Sequence, residues 1–180
     1  MPKSIYQKER LILGCRNPLV SDNGFGSEVI RWLEILYVLP KDIQCLDVGT
    51  AIHDFLFDIF LLKKKPTQII IIDSMNFPHA APGEIKEIDI SDIRPSTHSD
   101  HPLRNLHTIN MLNIFRKQTT TEIRILAAQP AGLPAKGSSG PYSYVQSSLP
   151  KMCDRIIHII ENKPTILSQF KDHRSIARID

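Results

Sequence analysis

Four consecutive isoleucines, Ile69 to Ile72, run directly into Asp73. Four β-branched residues in a row favour extended backbone and leave no polar face. A strand of that kind belongs at the centre of a parallel sheet covered by helices on both sides. Parallel neighbours must be joined by crossovers, so the remaining chain has to alternate strands with helices.

It does. Residues 11–15 predict a second buried strand and residues 43–48 a third. Residues 84–90, Glu-Ile-Lys-Glu-Ile-Asp-Ile, alternate with period 2 and predict a half-exposed edge strand. Residues 122–128 complete a set of five. Helical spacing of Val29, Ile30, Trp32, Leu33, Leu36 and Tyr37 predicts a helix over 26–39, stopped by Pro40. Further helices are expected over 52–62, 108–117 and 142–160. The lysines of Lys63-Lys64-Lys65-Pro66 sit where a helix C-terminus favours cations, so capping is expected of them. The stretch 130–141 is rich in Pro, Gly and Ser and reads as a long loop. The chain is therefore expected to form a single α/β domain over residues 1–162, with a polar tail at 163–180.

Composition narrows the function classes. With 22 Lys and Arg against 19 Asp and Glu, the net charge of +3 is too balanced to make nucleic acid or an anionic membrane the main partner. The longest apolar runs fall well short of the roughly 18 residues a spanning helix needs. The first ten residues lack the apolar core of a signal peptide, so a cytoplasmic protein is expected. The three cysteines, Cys15, Cys45 and Cys153, form no C-x-x-C pair. That leaves no zinc or redox motif, and Cys15 and Cys45, within apolar runs, are expected as buried thiols.

In an open α/β sheet, ligands bind beyond the carboxyl ends of the strands. Three segments converge there: Ser21-Asp22-Asn23-Gly24, Asp73, and the loop holding His98, His101 and His107. Carboxylate or amide oxygens together with an imidazole make a mixed site suited to a first-row transition metal. Asp73 is the leading residue, because a carboxylate ending an isoleucine strand needs a cation or donors to stay ionised. His53, His79, His158 and His173 carry no pattern and read as structural or solvent-facing. Gly24-Phe25-Gly26 begins like a dinucleotide-binding G-x-G-x-x-G, but Val29 stands at the third glycine, which argues against a tight helix–strand approach. Walker A, H-E-x-x-H and G-x-S-x-G sequences are absent.

The order of these segments resembles one known family. Residues 13–26, Leu-Gly-Cys-Arg-Asn-Pro-Leu-Val-Ser-Asp-Asn-Gly-Phe-Gly, are similar to the G-x-G-N-x-L-x-x-D-D-G-x-G opening of the hydrogenase maturation endopeptidases. Asp47-Val48-Gly49-Thr50 resembles that family's D-x-G-T, and residues 69–73 its I-I-x-D strand. Pro82-Gly83-Glu84 resembles its P-G-E/T turn, Gln129-Pro130 its Q-P, and Leu149-Pro150-Lys151 part of its last helix. Asp54-Phe55-Leu56-Phe57-Asp58 and Thr108-Ile109-Asn110-Met111-Leu112 are most similar to the delta-subunit branch linked to the F₄₂₀-reducing nickel–iron hydrogenases of methanogens.

That resemblance implies a three-layer α/β/α fold around a twisted, mostly parallel five-stranded sheet with one antiparallel edge strand. It implies an endopeptidase that removes the C-terminal extension of a nickel–iron hydrogenase large-subunit precursor. Nickel, carried by that substrate, is met in the family by two acids and a histidine. Carried over by position, the second acid is Asp73, which takes the catalytic role. The first acid falls on Asn23, with Asp22 beside it. Ungapped counting from Asn110-Met111-Leu112 puts Arg104 at the histidine. His107, at a helix entry resembling H-x-x-P-L, is the first choice for that ligand and His101 the second. Arg16 replaces the second glycine of G-x-G-N. Because Asn23 and Arg104 remove ligand character, the alternative is a catalytically impaired homologue that binds the hydrogenase as an assembly factor or accessory subunit. A weaker third reading, from the strand–helix alternation and Asp47, is a nucleotide binder.

Overall fold

The structure, a computed structural model, describes residues 8–15, 24–95, 102–130 and 143–162. Asp22, Asn23, His98, His101, Arg16, most of the 130–141 loop and the 163–180 tail lie outside the described residues.

Five strands form one sheet: β1 (Arg10–Cys15), β2 (Ile43–Gly49), β3 (Gln68–Ser74), β4 (Ile85–Ile88) and β5 (Glu122–Ala128). Their order is β2-β1-β3-β5-β4. β1 pairs in parallel with both β2 and β3, and β3 in parallel with β5. β4 joins β5 antiparallel and closes one edge. The isoleucine strand, β3, is central and all seven of its residues are buried. Four helices are described: α1 (Phe25–Leu36), α2 (Ile52–Phe60), α3 (Leu106–Gln118) and α4 (Ser143–Glu161). Among the described residues, no helix is long and apolar enough to cross a membrane.

Two cores follow from strand alternation. Leu11, Leu13 and Cys15 of β1 join Ile69 and Ile71 of β3, Ile125 and Ala127 of β5, and the inner faces of α2 and α3. Ile12, Ile70, Ile72, Leu126 and Ala128 face the other way, against α1 and α4. The result is the three-layer α/β/α arrangement.

Some boundaries differ from the sequence expectation. α1 ends at Leu36, and Tyr37 is already extended. Pro40 disfavours helix at Leu39, and the chain leaves the helix early enough for the Tyr37 hydroxyl to reach Asp154 Oδ1 at 3.1 Å. The edge strand is shorter than 84–90, because the Asp89 side chain accepts from Ser91 N and caps a 3₁₀ turn at Ile90–Asp92. α2 ends at Phe60, and Lys65 Nζ donates to the Leu62 carbonyl just beyond it.

A tight helix–strand approach is present after all. A Cβ built on Gly26 would lie 2.6 Å from both Cys15 N and Ile72 O, and closer still to Cys15 O. A Cβ on Gly14 would meet Gly26 O and lie 2.6 Å from Ile30 Cγ1. The missing third glycine is not needed, because Gly14 and Gly26 face each other and let the start of α1 rest directly on the backbones of β1 and β3.

Candidate functional site at the carboxyl end of the sheet

Parallel topology puts the starts of α1 and α2 beyond the carboxyl ends of β1 and β2. α3 precedes β5, so its first turn lies at the same end. Local sequence shapes each of these entries. Asp47 Oδ1 accepts from Gly49 N at 3.0 Å, and Gly49 adopts φ 54°, a value that glycine tolerates best. The Asp-Val-Gly-Thr turn therefore aims the chain from β2 into α2. At α3, Asn105 Oδ1 accepts from His107 N at 2.8 Å, which fixes the first turn carrying the His107 ring.

Asp73 is fully buried, at 0% exposure, one residue from the end of β3. It shares parity with Ile69 and Ile71, so its side chain belongs to the α2–α3 face. Its Oδ1 accepts from Ser74 N at 2.8 Å. On the same face, Cys15 ends β1. Its thiol is pushed well above the ordinary range, first by burial and then by the charges of Asp73 and Asp47. Two carboxylates thus act on a single buried point at this end of the sheet. A thiol so raised is a packed apolar group and not a nucleophile.

The resembling turn motifs brace the same region. Gln129 Oε1 accepts from Phe77 N at 2.7 Å, and Gln129 Nε2 donates to Asn76 Oδ1 at 3.2 Å. The Gln129 backbone exchanges bonds of 2.8 Å with Gly83 and Glu84. Ser148 Oγ of α4 donates to the Gly83 carbonyl. One glutamine after β5 therefore ties down both the chain leaving β3 and the Pro-Gly-Glu turn.

Of the predicted site residues, the structure describes Asp73 and His107. His107 is exposed on α3, and the ring it meets is that of His53 on α2, with centroids 5.8 Å apart at 63°. Arg104, the ungapped counterpart of the family histidine, donates from Nε to the Arg94 carbonyl at 3.4 Å. Among the described residues, no group of three or more His, Cys, Asp or Glu side chains forms a metal cage. His53, read from the sequence as structural or solvent-facing, stands in the first turn of α2 with its ring against that of His107.

The hydrogenase maturation protease family model matches residues 27–159, from the first turn of α1 to the last turn of α4. The chain belongs to the hydrogenase maturation protease family. It is 32% identical over 106 residues to the coenzyme F₄₂₀ hydrogenase subunit delta of Methanothermobacter thermautotrophicus, covering 57% of this chain and 62% of that protein. It is 34% identical over 73 residues to the hydrogenase 2 maturation protease of Escherichia coli, covering 41% of this chain and 42% of that protein. The matched stretches thus span about half the length of these two curated relatives. The fold is that of the hydrogenase maturating endopeptidase HybD from E. coli, with a TM-score of 0.67 at 22% identity over 85% of this chain and 92% of that one.

Proposed function

We propose that this chain is an endopeptidase that removes the C-terminal extension of a nickel–iron hydrogenase large-subunit precursor once nickel is loaded. The F₄₂₀-reducing enzyme is the proposed substrate, on the strength of the similarity to its delta subunit. The observation that carries the reading is Asp73. A carboxylate held at 0% exposure, on the central strand and at the ligand-binding end of the sheet, is costly unless it serves a cation or a donor. Its position is that of the family's second acid.

In this reading Asp73 and an imidazole of the α2–α3 face meet the metal that the substrate carries, with Asp22 or Asn23 completing the contact. A nickel ion there supplies Lewis acidity toward a carbonyl or a water. The chain's own part is to hold its donors fixed. Ser74 N orients one Asp73 oxygen, Asn105 fixes the turn of His107, and Gly14 and Gly26 seat α1 against β1 and β3.

The test is a processing assay read by mass spectrometry, with nickel-loaded and nickel-free precursor. The expected result is loss of the extension from the loaded form alone. Asp73→Ala should keep its circular dichroism and yield no product, and undiminished cleavage by that variant would overturn the proposal.

A second reading has its own support. Asn23 stands where the family has an acid, and the methanogen relative is named as a hydrogenase subunit. The chain would then bind the hydrogenase without cutting it. Asn23→Asp separates the two, since a gain in nickel affinity or in processing favours the protease and no gain in either favours the binder.

A further inference from the structure

We propose that His53 and His107 form a two-imidazole site for a divalent first-row transition-metal ion. This deepens the preceding reading, which placed His107 near the metal, by adding a donor that none of the family motifs contains.

Three observations carry it. First, the two rings come from different helices, 54 residues apart in sequence, and stand edge to face with centroids 5.8 Å apart. Imidazoles sharing a tetrahedral ion through nitrogens about 2.0–2.1 Å away have centroids roughly 5 Å apart, so the pair needs only a small rotation to close. Second, His53 Nδ1 is sealed from solvent and has no hydrogen-bond partner. Buried imidazole nitrogens are nearly always bonded, and a bare one asks for an explanation such as an ion. Third, both rings lie at the carboxyl end of the sheet, where ligands of this fold class bind.

The partial positive charge at the first turns of α2 and α3 works against a cation and has to be offset by nearby carboxylates. Asp54 in the first turn of α2, with Asp47 and Asp73 at the ends of β2 and β3, brings carboxylates to the same end. Imidazole selects nickel, zinc, copper or iron over the hard cations calcium and magnesium, which prefer oxygen. The rings are also held from behind. His107 is on a turn capped by Asn105, and His53 lies between Ile52 and Phe55, both packed in the core.

The experiment titrates nickel(II) and cobalt(II) chloride into the purified full chain, reading heat and the cobalt ligand-field spectrum. One ion should bind per chain. His53→Gln and His107→Gln should each weaken binding tenfold or more and shift the cobalt bands. Unchanged affinity in His53→Gln, or no binding by the unaltered chain, overturns the proposal. A second readout does not depend on variants: substoichiometric copper(II) should broaden the ring resonances of His53 and His107 before those of His158, and uniform broadening overturns it. The processing assay fails independently. Metal binding through the pair with no cleavage keeps the site and removes the endopeptidase. Normal cleavage with unweakened metal binding in His53→Gln removes the site and keeps the endopeptidase.

Discussion

Gly26→Ala puts one methyl group where the start of α1 touches two strands. The new Cβ would stand 2.6 Å from Cys15 N and from Ile72 O, with Cys15 O nearer still. All three are backbone atoms in the middle of a sheet, so no side chain can swing aside. Carbon needs about 3.5 Å from a nonbonded heavy atom, so α1 must back away by roughly 1 Å. Backing away thins the contacts of Phe25, Val29, Ile30 and Leu33, which are all buried against that side of the sheet. Overpacking of this kind costs about 1–3 kcal/mol, and three rigid neighbours place it at the upper end. At about 2–4 °C per kcal/mol for a domain of this size, Tm should fall by roughly 6–12 °C. Gly49→Ala is the control, because Gly49 sits at φ 54° with nothing within 4 Å, and only backbone strain of about 1 kcal/mol is added. Gly14→Ala probes the same seam. Once one alanine has moved the helix, the second should cost less, so the double variant should lose less than the two singles added together. Differential scanning calorimetry decides it. A Gly26→Ala loss no larger than that of Gly49→Ala, or full additivity with Gly14→Ala, would refute the reasoning.

Arg10 is 6% exposed, grips Asp42 with two nitrogens and donates to the Ile160 carbonyl at 2.7 Å, so Asp42→Ala should cost about 2–3 kcal/mol in urea denaturation by stranding a buried guanidinium. Asn105→Ala removes the α3 cap and should cost about 1 kcal/mol by the same assay. Arg124, and then Arg155, holds the Glu87 carboxyl below its ordinary value, so its stabilising effect is present above the unfolded pKa of about 4.3 and disappears as pH falls through the lower folded value. The stability gap between the unaltered chain and Glu87→Gln should therefore shrink between pH 6 and pH 2, and a constant gap would contradict that linkage. Burial holds the Cys45 thiol at about 12 and that of Cys153 at about 11, with Cys15 raised as well, so a thiol reagent at pH 8 should label none of the three until denaturant is added.

What the sequence made legible was whatever short-range pattern controls. Ile69 to Ile72 announce a central strand because no polar face exists to expose. The charged Lys86 and Glu87 inside residues 85–88 announce an edge, although Ile85 and Ile88 pack on opposite faces of it. Burial of Cys15 and Cys45 followed from their apolar neighbours, whereas Cys153, between Met152 and Asp154, is buried by the packing of α4. The tight seat of α1 was missed because it depends on two glycines 12 positions apart whose backbones meet only after folding. The His53–His107 contact was invisible for the same reason, since His53 carries no pattern of its own and only the packing of α2 on α3 brings it to His107. Asp73 was legible because one residue carries both its chemistry and its strand.

The two-residue repeat of β3 has a consequence for how such chains can diverge. Ile71 and Asp73 look toward α2 and α3, while Ile70 and Ile72 look toward α1 and α4. A deletion of a single codon between Gln68 and Asp73 would leave the strand just as hydrophobic and just as able to pair. It would nevertheless carry the carboxylate through the sheet to the opposite side, away from both histidines. Substitutions among the isoleucines should be freely exchanged for valine over evolutionary time, while insertions and deletions of odd length in this stretch should be purged.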